Sequence, residues 1–468
     1  MRTPEAWKHA AAVALGHVVF LVLAVLAVKH AELRMTYGDT AYQFVKWMLD
    51  PGISFEAHRY TAVLPQLAVS AAMLVGAELH TLMIVGSIAH VLVAYAVFLL
   101  CAHGWRAPLS AFGCALAAVL CTRFTFYSPV LEANYLLCYP FLLFGFVERR
   151  AREQDWTRAQ VLLAVTLLLV PLIVHPAGWL VMLFGIVFQF VRYRTPLRSF
   201  VPLLLVTLSW PIVAPYIFPP TVYEAGLYQV ALANLNGADG GVEWASWEFL
   251  RMHLGTASFT YVPALVLWIL TVLVFLALRK YTAGLLAFAG PVAFTGVFVV
   301  AFGRGDAGIM LDRGILPVAT ILALSVVHVY GALPLGRWKR FATFILVAAL
   351  FLKLRDVSFG SRPFRDRSST IAGLIEEARA EHVVWGIVPA GDPRARALGV
   401  FWALPCESLL MSSLAGPSES RCLVMDGSIP LEAAQRGGLF LFDRFFPITR
   451  KDERYFHPDP SPYVRMDR

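Results

Sequence analysis

The sequence predicts an all-α polytopic membrane protein with a small α/β domain at its C-terminal end. Of its 468 residues, 58% are apolar and only 15% are charged, whereas a soluble domain is usually about 45–50% apolar and about 25% charged. The mean hydropathy is +0.66, and apolar runs near the ~20 residues that span a bilayer recur along the chain. Soluble globular, fibrous and disordered classes are excluded, because a water-facing surface needs more charge than this.

Eleven apolar runs, each bounded by charges or by Pro and Gly, predict about eleven transmembrane helices. A further run, Thr61–Glu78, contains Pro65 and Gln66 and is barely long enough to span. We expect it to be a re-entrant or juxtamembrane segment, because non-helical backbone at that depth is tolerated only where it lines protein or a wet cavity. The predicted spans are 10–28, 81–101, 109–126, 129–147, 159–175, 178–191, 199–217, 260–278, 282–302, 314–332 and 340–353.

The distribution of positive charge predicts the orientation. With the N-terminus inside and Thr61–Glu78 not crossing, the inside segments hold 15 Lys and Arg against four Asp and Glu, as the positive-inside bias requires. We therefore interpret the net charge of +8 as a sign of membrane orientation. The sequence contains no basic tract with interleaved aromatics of the kind that binds nucleic acid. Residues 1–356 form a transmembrane domain with outer loops 29–60, 218–259 and 303–313.

The tail, residues 357–468, has the composition of a soluble domain and alternates between helical and strand patterns. This alternation predicts a small α/β domain, which the odd number of spans places outside the cytoplasm. Cys406 and Cys422 could pair only in such a location, and whether they do is left open. The predicted elements are a helix at 367–380, a strand at 382–388, a helix at 407–414, and strands at 421–426 and 439–442.

Titratable residues are concentrated in the first outer loop. Asp39 follows Gly38 at the start of a predicted amphipathic helix that also carries Tyr42, so a helix-capping role is the alternative to a chemical one. A carboxylate at a membrane boundary can have its pKa raised into the range of a general base. The other titratable side chains come just before Thr61 and are Glu56, His58 and Arg59.

Three later positions are further candidates on the outer side. Glu132 lies just inside an apolar span, where an acid usually faces a cavity or a partner, with Arg123 as the alternative partner. Arg313 can bind a phosphate in bidentate fashion, with an ion pair to Asp312 as the alternative. His175 adds a titratable group, although a lone His at a turn is more often structural. Signature motifs of nucleotide-driven pumps and zincin hydrolases are absent from the sequence.

The order and sidedness of these segments resemble the GT-C superfamily of integral-membrane glycosyltransferases, in particular the protein O-mannosyltransferase and aminoarabinose-transferase branch. The resemblance covers about residues 1–350. Tyr-Gly-Asp39 matches the acidic residue that this family has in its first outer loop. The segment from His58 through Pro65 to Gln66 looks like the family's proline-containing segment, although the usual double proline is missing.

Two later motifs carry the same resemblance. Ser128-Pro129, followed by Glu132 and Tyr135, is similar to a family Ser-Pro with an acid and a Tyr. The sequence from Arg313 to Pro317 matches an Arg-aromatic-Leu-Pro motif, except that Gly314 replaces the aromatic.

The resemblance implies an inverting hexosyl- or pentosyltransferase on the outer face of the bacterial inner membrane. It would transfer sugar from a polyprenyl-phosphate-linked donor to a hydroxyl of a lipid, glycan or protein acceptor. Asp39 would be the general base, either directly or through a divalent cation (Mg²⁺ or Mn²⁺), with Glu132 as the second catalytic acid. The implied substrate-binding residues are Arg313 and Arg59 for the lipid phosphate, His58, Glu56, Tyr42 and His175.

Two other classes of function stay open at this point. A transporter or flippase of lipid-linked sugars could use the same cavity, although such proteins often contain paired halves and this sequence has no visible internal repeat. A non-catalytic scaffold subunit of an envelope-polysaccharide machine is the other class. Asp39→Asn separates them, because only an enzyme would lose sugar transfer.

Overall fold

The computed structural model describes residues 4–49, 52–55, 60–151, 153, 155–236, 258–302, 309–334, 336–399, 401–436, 438–441, 444–446, 453–457 and 461–466. The chain is mostly helical. Its N-terminal part packs as a helical body, and its C-terminal part contains a small parallel sheet.

Within the described residues, the body before the tail contains fifteen helices. Among the described residues, five stretches are long and apolar enough to cross a membrane: Ala10–Lys29, Leu79–Gly104, Leu197–Ile217, Tyr281–Val299 and Gly314–Ala332. The helices are α1 (Pro4–Lys29), α2 (Ala31–Met35), α3 (Gly38–Leu49), α4 (Val63–Leu74), α5 (Leu79–Leu99), α6 (Pro108–Leu120), α7 (Pro140–Arg150), α8 (Arg158–Val174), α9 (Gly178–Tyr193), α10 (Leu197–Ile217), α11 (Val222–Leu235), α12 (Ser258–Ala277), α13 (Tyr281–Phe302), α14 (Ile309–Ala332) and α15 (Arg337–Phe359).

Helix α4 lies within Thr61–Glu78, the run that we expect not to span the membrane. Its 12 residues rise about 18 Å at 1.5 Å per residue, which is less than the ~30 Å of a bilayer's hydrocarbon core. The predicted outer loop 218–259 contains α11, whose start is fixed by a capping box between Thr221 and Glu224. Residues 237–257 and 303–308 of the predicted outer loops lie outside the described residues.

The predicted helices 109–126 and 129–147 are wrong in their extent. Helix α6 ends at Leu120 and α7 begins only at Pro140, and between them the chain forms two 3₁₀ turns, Phe124–Tyr127 and Glu132–Leu137. The physical reason is that Pro129 and Pro140 donate no backbone hydrogen bond. Polar contacts then hold the irregular segment in place: the Tyr127 hydroxyl donates to Val357 O at 3.0 Å, and Thr320 Oγ1 donates to Leu136 O at 2.7 Å.

The tail forms the α/β region that its sequence pattern predicted. Strand β1 (Trp385–Val388) pairs in parallel with β2 (Cys422–Met425) and with β5 (Val464–Arg465), while β3 (Leu439–Leu441) and β4 (Arg444–Phe446) form an antiparallel pair. The helices of the tail are α16 (Arg362–Ala380), α17 (Pro393–Leu398), α18 (Leu404–Ser413) and α19 (Leu431–Arg436). Cys406 and Cys422 are buried free thiols.

The tail packs onto α3 and not only onto itself. One continuous apolar cluster joins Phe44 and Trp47 of α3 to Leu409 of α18 and Trp385 of β1. Because α3 also belongs to the segment that follows the first membrane helix, the tail covers the first predicted outer loop. This contact positions the candidate site.

Candidate functional site

The site is built around the turn between α2 and α3. Gly38 has a φ of +51°, a left-handed conformation that Gly adopts without the strain a side chain would bring. Asp39 is the second residue of α3, half-buried in the first helical turn, where the positive end of the helix dipole favours a carboxylate. The sequence-based alternative of a capping residue is therefore replaced by a position just inside the helix.

Tyr42 lies one turn further along α3 and faces the tail. It is buried, and its ring lies 6.4 Å from the Trp402 ring and 6.3 Å from the Phe446 ring, both edge-on. Asp39 and Tyr42, two of the predicted site residues, are thus brought to one junction between the membrane body and the tail.

A buried ion pair of the tail holds the start of α3. The Gly38 N–H donates to Glu407 Oε1 at 2.8 Å, and Arg367 Nε donates to Glu407 Oε2 at 3.1 Å. Both side chains are buried, Glu407 completely. Burial raises the pKa of the Glu407 carboxyl, while the Arg367 guanidinium and the Gly38 N–H oppose that rise.

Aromatic contacts extend this Arg367–Glu407 clamp. The Arg367 guanidinium lies over the Tyr37 ring at 5.6 Å from its centroid, and the Tyr37 ring meets the Phe364 ring edge-on at 4.6 Å. The residues on both sides of the α2–α3 turn are therefore fixed by α16 and α18 of the tail.

Sequence reasoning missed the clamp, although a signal was present. Glu407 is the only charged residue in α18, and a buried acid usually has a specific partner. Arg367 could not have been identified in this way, because α16 carries several arginines and only tertiary packing distinguishes the buried one.

Glu132 lies half-buried at the start of the second 3₁₀ turn, Glu132–Leu137. The first of the two 3₁₀ turns, Phe124–Tyr127, lies against α2. The irregular segment that contains Glu132 is therefore a neighbour of α2. Arg123, the alternative partner of Glu132, forms an ion pair with Asp356 at 3.6 Å, and Lys353 pairs with the same Asp356 at 2.9 Å.

His175 and Arg313 lie on other elements. His175 ends α8, and its Nδ1 accepts from the Ala177 N–H at 3.0 Å, a turn contact of the structural kind. Arg313 lies within α14, and the side chains of Arg313 and Asp312, with the alternative ion pair between them, lie outside the described residues. Glu56, His58 and Arg59 lie outside the described residues.

Gly314 packs directly against an aromatic ring. A Cβ atom built on Gly314 would collide with the ring of Phe298 from the preceding helix α13. The space for a side chain at position 314 is thus filled by an aromatic from a neighbouring helix.

A cation at Asp39 finds few ligands in the part of the chain that the structure describes. There, no group of three or more His, Cys, Asp or Glu side chains could hold a metal ion, and Glu407, whose carboxylate contacts the neighbouring Gly38 N–H, also accepts from Arg367.

The five long apolar helices of the described residues indicate a multi-pass membrane protein, and its C-terminal region contains a small parallel sheet. No family model matches the chain, and neither a curated protein nor a solved structure does so.

Proposed function

We propose that this protein is an inverting membrane glycosyltransferase that takes sugar from a polyprenyl-phosphate-linked donor. The observation that carries the proposal is the position of Asp39: a half-buried carboxylate in the first turn of α3, at the junction of the apolar helices and the tail. Such a boundary is where a lipid-linked donor and a water-soluble or lipid acceptor can meet.

The chemistry assigned to Asp39 is proton removal. The acceptor hydroxyl oxygen attacks the anomeric carbon, its proton passes to the Asp39 carboxylate, and the bond from that carbon to the carrier phosphate breaks. The electron pair leaves on the phosphate oxygen. A carboxylate is suited to the role of base when it lies within hydrogen-bond reach of the hydroxyl proton that it removes.

The other predicted residues take supporting roles in the proposal. Glu132 would orient the acceptor, Tyr42 and His175 would contact the sugars, and Arg313 would bind the carrier phosphate. The accompanying topology has about eleven spans, a cytoplasmic N-terminus and a periplasmic tail in a bacterial inner membrane. In that topology the clamp from the tail supports the proposal, because it keeps Asp39 in a fixed place on the side where the donor is used.

The decisive experiment is sugar transfer by the full chain in lipid nanodiscs, offered a panel of polyprenyl-phosphate-linked hexoses and pentoses. Release of polyprenyl phosphate is measured for the native chain, for Asp39→Asn and for a matched acid-to-amide control, Glu32→Gln. Glu32 lies in the same segment but is exposed, and its carboxylate lies 3.2 Å from His80 Nδ1. We expect Asp39→Asn to lose about 10²–10⁴-fold in rate, the usual contribution of a general base, and the control to retain the native rate.

Two results would contradict the proposal. Full turnover by Asp39→Asn would remove Asp39 as the base. Absence of phosphate release with every donor, together with movement of an intact lipid-linked sugar across the bilayer, would favour the transporter or flippase class.

A further inference from the structure

The strongest unexplained feature of the molecule is Arg34, a buried cation in α2. Its side chain is 1% exposed. Its Nη2 donates to Ser87 O at 3.2 Å, and its guanidinium carbon lies 3.8 Å from the centroid of the Phe126 ring. The Nε and Nη1 atoms have no hydrogen-bond partner, and within the described ranges no carboxylate forms an ion pair with Arg34.

An unpaired guanidinium in this place is costly. Burying a charge is unfavourable unless it is paired and hydrogen-bonded, and a buried ionisable group beside membrane helices usually marks a site of function. Burial lowers the pKa of Arg34 to about 9, against the opposing effect of Tyr127 and Tyr135, so the side chain is still a cation near pH 7. The positive charge therefore calls for an anion that the described protein does not supply.

Arg34 lines a cavity of about 70 Å³ between α1, α5, α6 and the 3₁₀ turns. This volume is well above the ~10–15 Å³ that one water needs by the same measure, and it suits several waters or one small anion. The cavity wall contains no Asp or Glu.

Three more side chains of the lining have buried polar atoms with no hydrogen-bond partner: Thr122 Oγ1, Thr125 Oγ1 and His90 Nε2. All three side chains are buried. His90 Nδ1 is 2.6 Å from the Tyr135 hydroxyl. When that hydroxyl donates to Nδ1, the neutral imidazole carries its proton on Nε2 and becomes a donor. The cavity thus collects one cation and three further potential donors.

We propose that this cavity binds a phosphate group. A phosphate has several acceptor oxygens in a tetrahedral arrangement, which matches the planar fork of an Arg together with two hydroxyls and an imidazole N–H. It would neutralise Arg34 and satisfy the orphaned atoms at once. The group is either inorganic phosphate or the headgroup of a phosphorylated lipid, whose first carbons would meet the apolar wall formed by Phe20 and Leu23.

This proposal does not rest on sugar transfer, because the anion would bind whether or not a glycosyl group is moved. Its test is therefore a binding measurement on the full chain, purified in dodecyl maltoside. We would follow the thermal midpoint with increasing inorganic phosphate, with chloride at equal ionic strength as the salt control. In a second arm we would add farnesyl phosphate, with farnesol as the uncharged control. A ligand that binds only the folded state raises the midpoint, and the rise increases with the logarithm of the ligand concentration once this exceeds the Kd.

Variants connect the effect to the cavity. Thr125→Val keeps the size of the side chain and removes one hydroxyl, and we expect about tenfold weaker phosphate binding, the effect of losing one hydrogen bond to a charged group. Arg34→Lys keeps a charge but loses the fork and should weaken binding at least as much. The matched control is Thr207→Val, another buried Thr, whose hydroxyl donates within its own helix to Leu203 O and which does not line the cavity.

Stabilisation by inorganic phosphate, reduced by Thr125→Val but not by Thr207→Val, would support a free-anion site. Stabilisation by farnesyl phosphate alone, with the same pattern of variants, would support a lipid headgroup. If neither compound raises the midpoint above its control, or if both Thr variants respond like the native chain, the cavity holds water only and the proposal is wrong.

Discussion

Replacing Glu407 by Gln tests whether the tail holds the α2–α3 turn. The amide oxygen can still accept from the Gly38 N–H, but it leaves the buried Arg367 without its carboxylate. Removing one partner of a buried ion pair costs about 3–5 kcal/mol, because the remaining charge is left uncompensated away from water. A residual contact from Arg367 to Leu398 O does not neutralise the charge. Local opening of α16, α18 and the start of α3 should become easier by that amount.

Amide hydrogen exchange measures this directly, since exchange of protected amides follows the free energy of local opening. A loss of 3–5 kcal/mol corresponds to about two to three and a half orders of magnitude faster exchange in these helices. The matched control is Asp426→Asn, which breaks the exposed pair between Asp426 and Arg465 at 3.4 Å and should cost no more than about 1 kcal/mol. If Glu407→Gln speeds exchange no more than Asp426→Asn does, the clamp does not stabilise the turn.

Three further predictions concern other parts of the chain. Gly314→Ala should lower the free energy of unfolding, followed by thermal denaturation, by about 1–3 kcal/mol because the new Cβ meets the Phe298 ring. The control Gly296→Ala, where a Cβ meets no atom within 4 Å, should be neutral or stabilising, and equal effects of the two substitutions would contradict the packing at Gly314. Burial raises the pKa of Cys422 to about 12, so iodoacetamide at pH 8 should react with it about 10³-fold more slowly than with a free thiol, and rapid labelling of the native protein would contradict this. Because the thiol of the unfolded chain releases its proton first, near pH 8.5, the stability of the folded tail should fall as the pH rises above that value. Gly391→Cys places a thiol at an exposed position of the tail and should react with a membrane-impermeant maleimide in intact cells; protection there would overturn the periplasmic tail and the topology.

The elements that the sequence predicted well are those with a local signal. Helix α16 and strands β1, β2 and β3 fall inside or beside the predicted ranges because periodicity and turn residues mark them. Strands β4 and β5 are three and two residues long, too short for any period to be visible. Strand β5 exists only because it pairs with β1 about 80 residues earlier in the chain, which no local pattern encodes.

The candidate site likewise contains residues that a local sequence pattern predicts and residues that it does not. Asp39 and Tyr42 could be predicted because they lie in one short amphipathic segment of a loop. Arg34 could not, since it stands between Lys29 and Asp39 among several loop charges, and only the packing of α2 against α5 buries it. The sequence does not predict the break at residues 121–139, because its composition is apolar enough for a span and a proline does not by itself exclude a transmembrane helix.

Arg34 and Gly38 lie only four residues apart, yet they form hydrogen bonds to different parts of the fold. Arg34 reaches back to Ser87 of the long membrane helix α5, and Gly38 is held by Glu407 of the tail. A segment fixed from both sides in this way cannot shift toward either one without breaking a buried polar contact, and each such contact is expensive to lose. The position of Asp39, the next residue, is therefore set jointly by the membrane body and by the tail. It follows that substitutions at Arg34, whose guanidinium makes the first contact, and at Glu407, whose carboxylate makes the second, should both alter any chemistry that depends on Asp39.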